Sequence, residues 1–263
     1  MSLVDVDGTR LRCLVEGPYE APAIVFLNSL GTDLRMWDPQ MDALRSPFRI
    51  VRHDSRGHGA SDAPKGPYSI EQLGGDVVSL LDAFEIERVH LCGVSMGGLV
   101  AQWLAANHPE RVERAIFVST AVKIGSKDRW DERIRALKAG GMPSIRDMVM
   151  ERLVTRSFRQ RSPDVAKSVE ETLVSTPPAG YAASCLAVRD ADLTHEVGRI
   201  RAPSLIVVGA DDVVISQREA QELREHIAGS ELVVLDDASH LCNLEQPERF
   251  NQAVLAFLGG RGT

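Results

Sequence analysis

Val89-His90-Leu91-Cys92-Gly93-Val94-Ser95-Met96-Gly97-Gly98 joins a short apolar run to the start of a helix-like stretch, Leu99 to Asn107, through the pattern Gly-x-Ser-x-Gly. A strand that turns this sharply into a helix holds its serine on a strained backbone, which requires residues without bulk two before and two after it. Gly93 and Gly97 meet that requirement. The first N–H groups of a helix have no partner within it, so the N–H of Met96 is a candidate donor to an oxyanion formed at Ser95. The five-residue pattern alone is weakly specific. Its placement between a strand-like and a helix-like run is what makes Ser95 a candidate nucleophile.

Reading outward, the chain alternates strands and helices. Asp7-Gly8 between Leu3–Val6 and Leu11–Val15 predicts a tight antiparallel hairpin. Ala23–Leu27 is a continuous apolar run, as in strands buried on both faces, and Arg49–His53 makes another strand. Pro39–Leu44 reads as a short helix, and Ser69-Ile70-Glu71-Gln72 has the capping-box spacing that opens a helix to about Phe84. After the central helix come a strand over Val112–Ser119, a strand over Ser204–Val208, and a helix opened by Ser216-Gln217-Arg218-Glu219. A strand over Leu232–Leu235 and a closing helix over Pro247–Leu258 complete the series. The pattern changes from about Val122 to His195, where Arg, Lys, Leu and Met recur at helical spacing, broken at Gly140-Gly141, Pro143, Pro163 and Pro177-Pro178. The expected organisation is an α/β core of residues 1–121 and 196–263, with helices on both faces of a mostly parallel sheet. Residues 122–195 are expected to be an inserted cap of several short helices.

Composition narrows the partners. A chain of 263 residues with a net charge of -7 is poorly suited to nucleic acid or an anionic membrane surface. The four cysteines, Cys13, Cys92, Cys185 and Cys242, are far apart and form no Cys-x-x-Cys pair, so neither a metal site nor a disulfide framework is expected. The charged N-terminal residues and the absence of a long apolar run point to a cytoplasmic protein that does not enter membranes. A homo-oligomer is compatible with this sequence.

A serine hydroxyl becomes a useful nucleophile when a histidine takes its proton and a carboxylate holds that histidine in the right tautomer. In open α/β sheets such groups sit on loops at the carboxyl ends of strands. Two loops qualify: Gly209-Ala210-Asp211-Asp212 after one predicted strand, and Asp236-Asp237-Ala238-Ser239-His240 after another. Asp211 and Asp212 are both candidates at this level. His240 competes with His53 and His58, which border a polar, Gly-punctuated turn, whereas His90, His108, His195 and His226 read as structural, capping or surface residues.

The quoted stretches resemble those of an α/β-hydrolase and, more narrowly, of the 3-oxoadipate enol-lactonases of aromatic-acid catabolism. The residues that carry the resemblance are Asn28-Ser29-Leu30-Gly31-Thr32-Asp33-Leu34-Arg35-Met36-Trp37, Asp54-Ser55-Arg56-Gly57-His58-Gly59, Pro64-Lys65-Gly66-Pro67-Tyr68-Ser69-Ile70, Gly93 to Gly98, and Asp237-Ala238-Ser239-His240. Within the predicted cap, Lys123-Ile124-Gly125, Tyr181-Ala182-Ala183-Ser184-Cys185 and Arg189-Asp190-Ala191-Asp192-Leu193 also match. One departure stands at Leu153-Val154-Thr155, where the family commonly has Trp-Phe-Thr. The resemblance implies Asp212 as the triad acid, since this loop presents its acid three residues past the turn glycine. It also implies the Leu30 N–H as the second oxyanion donor beside Met96, no cofactor, and a small anionic lactone as substrate.

Such a substrate carries a carboxylate, so cations are expected to face it. Residues 122–195 contain 13 Lys and Arg against 10 Asp and Glu, a net of +3, which leaves -10 for the rest. A basic cap over an acidic body draws anions to its underside, and Arg133, Lys138 and Arg152 are the candidate carboxylate partners. The same triad serves carboxylesterases, carbon–carbon hydrolases of meta-cleavage products and cofactor-free perhydrolases, which are the competing activities. A ligand-binding relative without catalysis is a fourth alternative.

Overall fold

The computed structural model describes residues 2–259. Strands β1 (Ser2–Val6) and β2 (Thr9–Glu16) pair antiparallel around Asp7 and Gly8, whose φ angles of 49° and 77° make the tight turn. The chain continues through β3 (Ala23–Leu27), α1 (Asp38–Leu44), β4 (Arg49–His53), α2 (Ile70–Ala83), β5 (Val89–Val94), α3 (Met96–Asn107) and β6 (Val112–Val118). Five helices follow before the sheet resumes: α4 (Lys127–Gly140), α5 (Arg146–Leu153), α6 (Arg156–Arg161), α7 (Pro163–Ser175) and α8 (Pro178–Asp190). The last elements are β7 (Ser204–Gly209), α9 (Gln217–His226), β8 (Glu231–Leu235), α10 (Cys242–Glu245) and α11 (Pro247–Gly259). Pro163 and Pro178 each stand at the start of a helix, where a missing N–H costs nothing.

The sheet order is β1-β2-β4-β3-β5-β6-β7-β8, antiparallel only at the β1–β2 and β2–β4 pairings and parallel from β4 onward. Every residue of β4, β5 and β7 is buried, which is why those strands read as continuous apolar runs without alternation. Two polar exceptions in β4 are tied down: Arg52 reaches Glu16 and Asp38, and Arg49 Nη2 donates to Phe84 O at 3.0 Å. Parallel strands bring the ends of β3, β5, β6, β7 and β8 to one edge of the sheet, and the loops that leave this edge build the site.

The two capping boxes differ in outcome. At α9 both arms form, with Ser216 Oγ accepting from Glu219 N and Glu219 accepting from Ser216 N at 2.8 Å. At α2 only one arm forms: Ser69 Oγ accepts from Gln72 N at 3.1 Å and its hydroxyl donates to Glu71 at 3.2 Å, while the Gln72 side chain does not reach back to the Ser69 N–H. The short α10 and the 3-10 turn at Leu34–Trp37 lie outside what periodicity predicts, since four residues carry no period. Among the described residues no helix is long and apolar enough to cross a membrane.

Candidate active site

Ser95 follows β5 with φ 57° and ψ -113°, a conformation that L-residues rarely adopt and that turns its side chain out of the strand–helix junction. The flanking glycines are sterically required. A Cβ on Gly93 would lie 2.2 Å from Gly97 O, and one on Gly97 would lie 2.1 Å from Leu27 O. The strained turn is held by Ser95 N–H donating to Val118 O at 2.9 Å and Thr120 Oγ1 donating to Ser95 O at 3.0 Å.

His240 comes from the loop after β8 and Asp212 from the loop after β7, and the two meet with Nδ1 2.9 Å from the Asp212 Oδ2 carboxylate oxygen. Asp212 Oδ1 accepts from Val214 N at 2.7 Å and Ile215 N at 3.0 Å, which fixes the carboxylate with one oxygen free for the ring. Asp211 is exposed. Ser95 and His240 line one cavity of about 290 Å³.

Leu30 lines the same cavity, and neither its N–H nor that of Met96 donates to any of the described residues. Both therefore remain available to a ligand oxygen. The loop that carries Leu30 is braced from behind. Asn28 Nδ2 donates to His53 O at 2.7 Å and Asn28 Oδ1 accepts from Trp37 Nε1 at 2.9 Å, while Leu34 N donates to Asp54 Oδ1 at 2.9 Å.

The roof of the cavity is cationic. Arg129, Arg133 and Arg152 line it with Trp130, Val149, Leu153 and Tyr181, and none of the three arginines pairs with a carboxylate among the described residues. Burial, followed by the neighbouring Arg133 and Arg129, weakens the hold of Arg152 on its proton. Arg133 lies 4.6 Å over the Trp130 ring. Tyr181 is fully buried, and burial raises its ionisation well above the usual tyrosine range, opposed by the Arg133 guanidinium beside its hydroxyl.

Lys138 is the expected cation that does not reach the cavity; it is exposed in the last turn of α4. Five residues rotate a helix by about 140° from Arg133, whereas Arg129, one turn before Arg133, shares its face. That i,i+4 relation is the signal that identifies Arg129. A second missed residue is Glu245, a buried carboxylate in α10 that accepts from Ser239 N at 2.8 Å, Thr155 N at 3.1 Å and Thr155 Oγ1 at 2.5 Å. It ties the His240 loop to Thr155, which caps α6. In the same contact Ser239 Oγ donates to Arg152 O at 3.2 Å and Leu241 N donates to Leu153 O at 2.9 Å.

His53 and His58 are buried behind the oxyanion loop and do not line the cavity. Burial lowers the pKa of each to about 4, with an Arg56 carbonyl contact and Asp33 acting the other way at His58. An unfolded chain binds protons on both near pH 6.5 while the folded one does not, so stability falls as pH drops through this window. Between pH 7 and 5 the expected loss is roughly 2 kcal/mol per histidine. Urea midpoints at pH 7 and pH 5 check it; equal midpoints would show that the folded protein takes up these protons freely. All four cysteines are free and buried, and burial pushes Cys242 up to about 12, so it is no thiolate despite its place beside the site.

The family model described as the alpha/beta hydrolase fold matches residues 22–247. The chain is 41% identical to 3-oxoadipate enol-lactonase 2 of Acinetobacter baylyi over 242 residues, covering 92% of this chain and 90% of that one. It is 39% identical to 3-oxoadipate enol-lactonase 1 of the same organism, covering 95% and 94%. Among solved structures, the enol-lactonase from Burkholderia xenovorans superposes with a TM-score of 0.97 at 42% identity, covering 98% of this chain and 100% of that one. This chain belongs to the α/β-hydrolase family, in the group that contains the 3-oxoadipate enol-lactonases.

Proposed function

We propose that the protein hydrolyses 3-oxoadipate enol-lactone to 3-oxoadipate, a step in aromatic-acid catabolism, with Ser95, His240 and Asp212 as the triad. The observation that carries the reading is one cavity with Ser95 and His240 at its floor and three carboxylate-free arginines at its roof. The chain's similarity to named enol-lactonases supports it.

In this mechanism His240 takes the Ser95 proton as Oγ attacks the lactone carbonyl, and the N–H groups of Leu30 and Met96 hold the oxyanion. Collapse breaks the ring C–O bond and expels an enolate that remains tethered to the acyl group. His240 passes the proton it took from Ser95 to the enolate carbon, directly or through water, which makes a ketone that cannot close the ring again and returns His240 to its neutral, basic form. Water, deprotonated by His240, then attacks the acyl-enzyme; collapse returns the proton to Ser95 and releases the new carboxylic acid, which loses its own proton to solvent to give the dianionic product. Asp212 keeps the ring in the tautomer that presents an unprotonated Nε2 to Ser95. Residues 122–195 act as the cap, whose arginines anchor the substrate carboxylate. The unpaired, buried cysteines fit a cytoplasmic setting.

The test is turnover of the enol-lactone, followed by loss of its absorbance, in wild type, Ser95→Ala, Arg133→Gln and Arg152→Gln. Wild type turns it over, and Ser95→Ala loses on the order of 10⁴-fold or more in kcat. Each arginine variant raises KM about tenfold or more with a smaller change in kcat, as expected for a charged hydrogen bond made in both ground and transition states. Activity confined to simple aryl esters would overturn the substrate and leave the triad.

A further inference from the structure

We propose that His58 is a positioning residue for the oxyanion hole, acting through the peptide that follows Leu30. The inference rests on the reading of Leu30 as an oxyanion donor. Ser29 to Thr32 form a turn closed by Thr32 N–H donating to Ser29 O at 3.2 Å, with Gly31 third at φ 79°, as a type II turn requires. Thr32 Oγ1 also donates to Ser29 O, at 2.8 Å. The Ser29–Leu30 peptide is trans and planar, so with its carbonyl held to Thr32 its N–H faces the opposite way. That N–H is the one offered to the ligand.

The next peptide, Leu30–Gly31, is held by a different group. Gly31 N–H donates to His58 Nε2 at 3.0 Å, and His58 Nδ1 lies 3.2 Å from Arg56 O. A carbonyl accepts only, so Nδ1 carries the ring proton and Nε2 is the acceptor. His58 is 1% exposed, and its burial keeps the ring neutral, the only state in which Nε2 can accept. Leu30 is thus fixed on both sides: Thr32 holds the peptide before it and His58 the peptide after it. Without the His58 contact the second peptide can rotate, and a donor that must lie within a few tenths of an ångström of the developing oxyanion loses its alignment. Gly31 also has no room to relax sideways, since a Cβ there would lie 2.7 Å from Leu173 and 2.9 Å from Tyr181.

The two ring nitrogens can be tested separately. In His58→Gln the amide oxygen reaches the place of Nε2 and can accept from Gly31, while in His58→Asn the side chain reaches only the place of Nδ1 and keeps the bond to Arg56. With p-nitrophenyl acetate as substrate, which needs an oxyanion hole but not the lactone assignment, His58→Asn is expected to lose tenfold or more in kcat with little change in KM. His58→Gln is expected to recover most of that loss. Binding of an aryl trifluoromethyl ketone, which forms a tetrahedral oxyanion on Ser95, should weaken in parallel with kcat, while binding of adipate should not. Equal kcat in the two variants, or a larger loss in His58→Gln at matched thermal stability, would overturn the proposal and make His58 a support of Arg56 alone. Failure of wild type to turn over the enol-lactone would overturn the proposed substrate and leave this result standing.

Discussion

Replacing Asp212 by Asn is expected to lower kcat on the order of 10⁴-fold with the fold intact, while replacing its neighbour Asp211 by Asn leaves kcat within about threefold. The two acids are adjacent in sequence, yet the turn after β7 sends them to different places. Asp212 is buried, holds Val214 N and Ile215 N with one oxygen, and meets His240 Nδ1 with the other. Asp211 is exposed, and its own N–H donates to Ala238 O at 2.9 Å. An amide at position 212 can keep the two backbone bonds through its oxygen. It then presents an N–H to the ring, which forces the proton onto Nε2 and leaves no base facing Ser95. Steady-state kinetics with circular dichroism of both variants decide the matter. A large loss in Asp211→Asn, with Asp212→Asn near wild type, would exchange the roles.

The second large effect concerns stability. Arg56 and Asp76 form a buried two-point ion pair, with Arg56 Nε donating to an Asp76 oxygen at 2.6 Å and side-chain exposures of 7% and 5%. Hydrogen bonds to Asp76 are the main reason that Arg56 holds its proton more tightly than usual. Asp76→Ala leaves a guanidinium buried without a counter-ion, which is expected to cost about 3 to 5 kcal/mol and lower Tm by roughly 10 °C. The paired replacement of Arg56 by Met and Asp76 by Leu is expected to restore most of that stability, because it removes both charges together. Calorimetry of the three proteins checks this. If the single variant melts like wild type, water reaches Arg56 and the pair contributes little.

Most of the fold was legible because buried parallel strands announce themselves as apolar runs and because helix starts carry chemical marks. Ala23–Leu27 and Arg49–His53 have the strand boundaries expected of them, and Ser69 and Ser216 cap the helices they were expected to cap. The positions of Ser95 and His240 were legible for a different reason: each follows a strand that ends at the same edge of the sheet. What remained hidden depends on side-chain direction rather than on order along the chain. Lys138 and Arg129 are indistinguishable as cations until the face of α4 that meets the cavity is known. Glu245 was hidden because its partners Thr155 and Ser239 are 90 and 6 residues away. No local pattern marks a carboxylate that three distant donors share.

The contact between the 152–155 segment and the His240 loop divides the work of its residues between main chain and side chain. Arg152 and Leu153 hold that loop through their main-chain carbonyls, while Thr155 holds it through Glu245 with its N–H and its hydroxyl. A main-chain carbonyl is the same in every residue. The Leu153 side chain lines the cavity, so a change there resizes the wall without disturbing the His240 loop that the Leu153 carbonyl helps to hold. Position 155 has no such freedom, because its hydroxyl is part of the bond. Leu153 and Val154, where the chain departs from the family it resembles, give no side-chain bond to this contact, and Thr155 gives the one that needs a hydroxyl. The wall of the cavity and the seat of His240 are thus served by different atoms of one short segment, side chain for the first and main chain for the second.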